Sequence, residues 1–504
     1  MLAKVYSAIL DGLEGKIIEV ETGLMNGLTN FMIVGLADKA IQEAKERLTL
    51  ALKSINAQPP TKLNKKTIIN LAPADIKKEG TALDLAMAIS FLIASKQLSK
   101  INKKILFLGE LSLDGKLRKV KGCLTIILSL EKYFDEIYLP KENIGEIKYL
   151  KTNKIFLFDS LIEVIEHIEL KKTKEAFRPG EIDYKNLEQN EDLSFLKIPE
   201  YILNGIIIGL SGKHNIFLFG PPGTGKSIIA HHSIYLLPKL KYEQSLEVTS
   251  IYSAAGFNIE NFIFTPPFRA PHHSSSLVSI IGGGTNPKPG EITLAHHGIL
   301  FLDELAEFKR DVIESLREPL EEGEITIARA KKTIKFPAKF LLIAASNPCS
   351  CGFYGDEEKE CICSLAEIKK YNKKLSGPML DRIDILINIP RIKGEEIFRE
   401  QTINFKNITY KIEELREIQI KRQNKYNGQL KAREIKNYCK LDLDSENLLK
   451  EAADKMKISL RGIHKIIKIA RTIADLNNQN KIKKEHIAQA IHYHLKDKEK
   501  LVII

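Results

Sequence analysis

Eight consecutive residues, Gly220-Pro221-Pro222-Gly223-Thr224-Gly225-Lys226-Ser227, satisfy the pattern G-x-x-x-x-G-K-[ST] directly after the apolar run Ile216-Phe-Leu-Phe219. In a strand-loop-helix context this pattern cradles the phosphates of a nucleotide such as ATP. Its glycines let backbone N–H groups turn inward, Lys226 neutralises β- and γ-phosphate oxygens, and the Ser227 hydroxyl ligates Mg²⁺ at a helix N-terminus. Downstream, Gly298-Ile-Leu-Phe-Leu-Asp303-Glu304 reads as a buried strand delivering two carboxylates to the carboxyl edge of a parallel sheet. Asp303 is placed for Mg²⁺. Glu304, one residue on, is the candidate base that orients the attacking water. A third run, Phe340-Leu-Leu-Ile-Ala-Ala-Ser-Asn347, ends in an amide, and Ser376-Gly-Pro-Met-Leu-Asp-Arg382-Ile-Asp384 follows. An amide holds water without changing charge, and a guanidinium neutralises charge on a transferring phosphoryl group. Asn347 and Arg382 therefore fit a γ-phosphate sensor and an arginine finger. The alternatives are a turn cap for Asn347 and a local pair of Arg382 with Asp381 or Asp384.

Between those two residues, Cys349, Cys351, Cys361 and Cys363 form C-x-C-x9-C-x-C. Two turns can bring four thiolates around tetrahedral Zn²⁺, although the usual structural spacing is C-x2-C; the alternative is four reduced thiols. Six cysteines in 504 residues are too few for a disulfide framework. The paired histidines His272, His273, His296 and His297 read as loop packing or substrate contact rather than as metal ligands.

The elements that must hold these groups are those of an α/β protein of about three domains. Residues 1–170 mix β-like runs (Lys16–Thr22, Thr29–Leu36, Thr67–Pro73, Lys104–Leu113, Glu136–Pro140, Lys154–Phe158) with helices. One helix is expected over Ala37–Leu52, with Ala37, Ile41, Ala44, Leu48, Ala51 and Leu52 on its apolar stripe. Residues 171–199 are charged and aperiodic, a linker. Residues 200–390 form the phosphate-binding α/β module, and 391–504 an all-helical tail. The clearest tail helix carries Leu460, Ile463, Ile466, Ile467, Ala470, Ile473 and Ala474 on one stripe, leaving Arg461, Lys465, Lys468 and Arg471 more exposed.

Charge is uneven. The tail from Arg391 onward has 26 basic against 16 acidic residues, so +10 of the overall +12 lies there. Solvated lysine-rich helices and a nucleic-acid surface both fit that excess. No apolar stretch approaches the roughly 18 residues of a membrane span, and the first residues lack a long apolar core before a cleavage site. A cytoplasmic protein without a membrane partner is expected.

With these residues in order, the chain resembles the YifB/ComM family of Mg-chelatase-like AAA+ ATPases over nearly its whole length. The specific phrases are Phe268-Arg-Ala-Pro-His-His273, Ile281-Gly-Gly-Gly284, Pro289-Gly-Glu-Ile-Thr-Leu-Ala-His296, Arg317-Glu-Pro-Leu-Glu321 and Ala470-Arg-Thr-Ile-Ala-Asp-Leu476. The resemblance implies a Lon-protease-like N-terminal α/β domain, a central AAA+ P-loop ATPase and a C-terminal helical lid. It further implies homo-hexameric rings in which Arg382 reaches the neighbour's ATP, while Arg461, in Ser459-Leu-Arg-Gly, serves as a second sensor for its own subunit's γ-phosphate. Its implied role is a DNA helicase in branch migration, acting on single-stranded or branched DNA with recombination proteins during natural transformation.

The stretch Glu191-Asp-Leu-Ser-Phe-Leu-Lys-Ile-Pro199 has the family's acids but not its Gly-Gln pair. In the first domain, Ala82 stands at the serine position of a Lon-type dyad and Leu124 at the lysine position, which argues against a peptidase; Thr81 and Lys121 are the nearest substitutes. The rivals are a magnesium-chelatase motor subunit, which the N-terminal domain argues against, and a regulatory or scaffold ATPase.

Overall fold

Apolar runs pair into two main sheets, one in each of two compact units. The computed structural model describes residues 2–36, 38–184, 198–284, 287–329, 332–375, 377–391 and 405–495. Ala37 of the expected helix, residues 185–197 of the expected linker (with Glu191–Lys197 of the acidic stretch) and Ser376 lie outside the described residues.

The first unit comprises Met1–Asn186, Tyr242–Ile263 and Gly284–Pro289. Its seven-stranded sheet runs in the spatial order Asn30–Val34, Lys65–Ala72, Glu14–Asn26, Leu2–Asp11, Ile105–Phe107, Glu136–Pro140 and Ile155–Phe158. The long antiparallel pair sets Leu2 opposite Gly23 and Asp11 opposite Glu14. The expected helix spans Lys39–Ser54. Asp38 caps it by accepting the Ile41 amide at 2.9 Å, and Ile41, Ala44, Leu48, Ala51 and Leu52 are all buried.

Residues Tyr242–Ile263 belong to this unit although they follow the P-loop in sequence. Their helix, Tyr242–Ala255, packs on Cys123–Leu130, where the Thr125 hydroxyl donates to the Ser250 carbonyl at 2.7 Å. The Ser253 hydroxyl donates to the buried Glu146 carboxylate at 2.6 Å. At the Lon-like positions, Leu124 is wholly buried and the Thr81 hydroxyl donates to the Glu110 carboxylate. Nearby Asp84 is also wholly buried. Desolvation pushes its carboxyl up to about 6 against the pull of Arg47, which donates twice at 2.8 and 3.1 Å.

The second unit comprises Leu187–Lys241, Phe264–Gly283 and Gly290–Ile504. Its five-stranded sheet is parallel throughout, ordered Phe268–Arg269, Ile299–Leu302, Leu341–Ser346, Ile216–Phe219 and Ile385–Asn388. Ile299–Leu302, Leu341–Ser346 and Ile216–Phe219 are buried along their whole length, which is why they read as unbroken apolar runs rather than alternating ones. Parallel pairing puts their carboxyl ends on one edge, so Gly220, Asp303 and Asn347 emerge side by side.

The described tail is helical: Phe405–Gln423, Ala432–Tyr438, Leu443–Lys455, Leu460–Leu476 and Lys484–Leu495. The apolar stripe of Leu460–Leu476 packs against Lys484–Leu495 and Glu200–Gly212. Arg471 corrects the expected exposed face: it is 1% exposed, bonded to Asp475 at 3.0 Å and to the Asn480 carbonyl at 2.8 Å. Its five donors let it satisfy a buried carboxylate and the chain leaving the helix, so a guanidinium is accommodated where periodicity alone assigned it to solvent. Lys465 and Lys468 are half-buried, donating to the carbonyls of Ile383 at 2.7 Å and Gly428 at 2.8 Å. Part of the tail's positive charge is therefore internal.

Candidate nucleotide site

The P-loop is bent by close backbone approach. A Cβ on Gly220 would stand 2.1 Å from the Ile389 carbonyl oxygen, so a side chain there would push the loop off the sheet. Gly225, at φ 87, turns the chain into the helix Lys226–His232 in a conformation that a side chain disfavours. The Thr224 hydroxyl donates to the Pro221 carbonyl at 3.0 Å and closes the loop from inside, while Pro222 and Gly223 face outward.

Lys226 is nearly buried. Its ammonium donates to the carbonyls of Gly220 and Pro221 at 2.8 and 2.7 Å and to Asn347 Oδ1 at 3.2 Å. Burial lowers its pKa to about 8, with Asp303 pulling the other way. The amide of Asn347 thus faces the P-loop lysine instead of capping a turn with its side chain. Ser227 Oγ donates to Asp303 Oδ2 at 2.6 Å. A hydroxyl and a carboxylate oxygen in contact at a strand end form the hard oxygen donor set that suits Mg²⁺, so these two residues fit the ion.

Glu304 stands beside this pair at φ 52, a left-handed conformation that costs a non-glycine residue roughly 1–2 kcal/mol. Its amide donates to Asp303 Oδ1 at 2.9 Å, and its carboxylate, 55% exposed, meets His273 Nδ1 at 3.1 Å. His273, read from the sequence as loop packing or substrate contact, is brought against Glu304, a pairing that residue spacing did not reveal. Its only signal was membership of the phrase Phe268–His273, in which Arg269 makes a two-point pair with Glu291 at 2.6 and 2.8 Å and so fixes the loop that carries the histidine.

Arg382 and Arg461 are not part of this cluster. Both line a cavity of about 630 Å³ with Lys213, Glu321, Asp384 and Lys465, and no residue of the P-loop, nor Asp303, Glu304 or Asn347, lines it. Arg382 pairs with Glu321 at 2.5 Å, while Asp384 accepts the Asn215 amide at 3.0 Å and faces Lys465 at 3.4 Å. Arg461, which the family resemblance assigns to its own subunit's γ-phosphate, is exposed in the first turn of Leu460–Leu476 and lines the same cavity as Arg382. The reason is the docking of its helix: Lys465, one turn on, is tied to the carbonyls of Asp381 at 2.5 Å and Ile383. The four clustered cysteines are brought together, with three Sγ···Sγ distances of 3.4–3.7 Å. His272 bonds to Ser274 at 2.7 Å, and His296 Nδ1 accepts the Lys339 amide at 3.0 Å.

Comparison with known proteins agrees with this geometry. The family model "Magnesium chelatase, subunit ChlI" matches residues 192–397, "Subunit ChlI of Mg-chelatase" residues 20–143, and "Magnesium chelatase, subunit ChlI C-terminal" residues 404–494. The chain is 37% identical to the competence protein ComM of Haemophilus influenzae over 98% of its own length and 97% of that protein's. It is 36% identical to YifB of Escherichia coli over 99% of its own length and 98% of that protein's. Similarity to the magnesium-chelatase 38 kDa subunit of Cereibacter sphaeroides is 24% and covers 29% of this chain and 48% of that one. No described helix is long and apolar enough to cross a membrane. The phosphate loop, the acidic strand end and the asparagine facing Lys226 accompany end-to-end similarity, and the chain belongs to the YifB/ComM family of Mg-chelatase-like AAA+ ATPases.

Proposed function

We propose that this chain is a homo-hexameric ATP-driven motor acting on single-stranded or branched DNA, a branch-migration helicase that works with recombination proteins in natural transformation. The observation that carries the motor is the convergence of Lys226, Ser227, Asp303, Glu304 and Asn347 on one sheet edge, with Arg382 and Arg461 on a separate cavity. Lys226 grips phosphate. Ser227 and Asp303 would hold Mg²⁺, which when bound neutralises charge on the phosphate oxygens. Glu304 orients the attacking water, and Asn347 holds the γ-phosphate end of the site. Arg382 and Arg461 line a different cavity, which supports the reading that they serve a neighbouring subunit's phosphate and that the site is completed in a ring.

The DNA part of this reading draws on the full-length similarity to a protein named for competence and on the basic excess of the tail. It is tested by ATP turnover without nucleic acid, with single-stranded DNA and with branched DNA. DNA stimulates turnover, and binding falls steeply as salt rises because neutralised phosphates release counterions. An assembled ring whose turnover ignores every DNA, and which binds none at low salt, leaves the chelatase-type or scaffold reading.

His273 bears on the same reaction. Its contact with Glu304 holds a carboxylate that is otherwise half-exposed. His273→Ala lowers kcat for ATP roughly tenfold, about 1.4 kcal/mol of transition-state stabilisation, with little change in KM because no phosphate contact is lost. Steady-state kinetics check it; a rise in KM at constant kcat contradicts a positioning role.

A further inference from the structure

We propose that Cys349, Cys351, Cys361 and Cys363 bind one Zn²⁺ as a tetrathiolate, and that this site braces the segment after Asn347 against the P-loop. For a tetrahedral ion with Zn–S bonds of about 2.3 Å, neighbouring sulfurs stand about 3.8 Å apart. Cys349 and Cys351 are 3.4 Å apart, Cys349 and Cys361 3.7 Å, and Cys351 and Cys361 3.6 Å. All four ligand atoms lie within 4.8 Å of one another, room for a single ion and not for a multi-iron cluster. These separations are far longer than the roughly 2.05 Å of a disulfide.

The surroundings are those of a ligand loop. Cys349 is wholly buried, and its sulfur accepts the Tyr354 amide at 3.4 Å, the kind of N–H···S support that holds a thiolate in place. Gly352 at φ 89 and Gly355 at φ 77 make the reversals that return the chain toward Cys361. From Cys349 to Cys363 the chain has no helix or strand, and the side chains that follow its last turn offer no core: Ile362 is 88% exposed and Leu365 64%. Ordering such a span costs about 1–2 kcal/mol per residue in backbone entropy. The Asp356–Arg391 pair at 2.8 Å is the main other tie, and its Arg391 side is partly exposed. A metal cross-link supplies the missing stabilisation. Binding exchanges protons for metal: four thiols and one Zn²⁺ give one tetrathiolate and four H⁺.

The bracing follows from contact. A Cβ on Gly352 would lie 2.8 Å from Pro222 Cδ, so the thiol loop rests directly on the P-loop. Asn347, two residues before Cys349, accepts from Lys226. This second half rests on the ATPase reading; the metal site does not.

The experiment is metal analysis of full-length protein purified without chelator, followed by cobalt substitution. About one equivalent of zinc per chain is expected, lost in Cys361→Ser, Cys363→Ser but kept in Cys439→Ser. Co²⁺ in place of zinc should give intense thiolate charge-transfer absorption and tetrahedral visible bands. Zinc well below one equivalent with no cobalt spectrum, bound iron instead, or zinc retained by the double variant overturns the site. If the double variant does not fold, the wild-type stoichiometry and cobalt spectrum decide alone. For the bracing, amide hydrogen exchange of residues 220–225 and 349–363 should quicken together when chelator strips the zinc. Quickening confined to 349–363 overturns the brace while leaving the metal site standing, and neither result depends on turnover.

Discussion

Glu304→Gln leaves ATP bound and turnover nearly abolished, whereas Lys226→Ala loses the nucleotide itself. The two residues stand within one sheet edge but touch different parts of the reaction. Lys226 is aimed by three hydrogen-bond acceptors, two of them carbonyls of the loop that cradles phosphate. Removing it takes away the charge that meets β- and γ-phosphate oxygens, so affinity falls first. Glu304 touches none of those groups; it lies one residue past the Asp303–Ser227 pair, in a strained conformation, with its carboxylate outward. The glutamine keeps shape and loses basicity, and removal of a general base costs roughly 10²–10⁴ in rate. Nucleotide affinity by fluorescence titration and single-turnover hydrolysis separate the two. A Glu304→Gln protein that hydrolyses ATP at the wild-type rate shows that the base lies elsewhere.

The second large effect concerns Arg382, and it is visible only in mixtures. Arg382→Ala should lower ATP hydrolysis by about 10³ or more, the usual contribution of an arginine finger, while leaving the subunit's own P-loop intact. Mixed with Lys226→Ala protein, it should regain activity, because some interfaces then pair an intact P-loop with an intact finger. Arg461→Ala should behave the same way, since Arg461 shares the Arg382 cavity and not the Lys226 cluster. Had Arg461 served its own nucleotide, mixing it with Lys226→Ala would restore nothing. Rings shown to be mixed, yet inactive with Arg382→Ala, would exclude the finger role.

The chemistry that was legible in the sequence is local. The P-loop motif fixes Lys226 and Ser227 within a few residues of a strand, and the strands ending at Asp303 and Asn347 read as unbroken apolar runs because a central parallel sheet buries both faces. Parallel pairing then puts those carboxyl ends on one edge, while the order of the strands along it, with Leu341–Ser346 between Ile299–Leu302 and Ile216–Phe219, is a tertiary result. The helices at Lys39–Ser54 and Leu460–Leu476 were legible for the same reason, an apolar stripe repeated within one element.

What only the tertiary structure decided involves partners far apart in sequence or elements without a clean period. The strand Leu2–Asp11 alternates too irregularly to announce itself, and it is ordered by pairing with Glu14–Asn26. The hairpin of Glu324–Arg329 and Lys332–Pro337 carries charged residues on both arms and likewise depends on its partner strand. His273 reaches Glu304 across a loop whose direction is set by Arg269 and Glu291. Arg471 is buried because Asp475 and two departing carbonyls satisfy it, which no hydrophobic period can express. Arg461 shows the limit most clearly. Its motif names a residue that can meet phosphate, but which cavity it lines depends on where the helix docks, and Lys465 ties that helix to the carbonyls of Asp381 and Ile383, more than eighty residues away in the chain. Residue type and spacing determine what a side chain can do; long-range packing of the element that carries it determines to what.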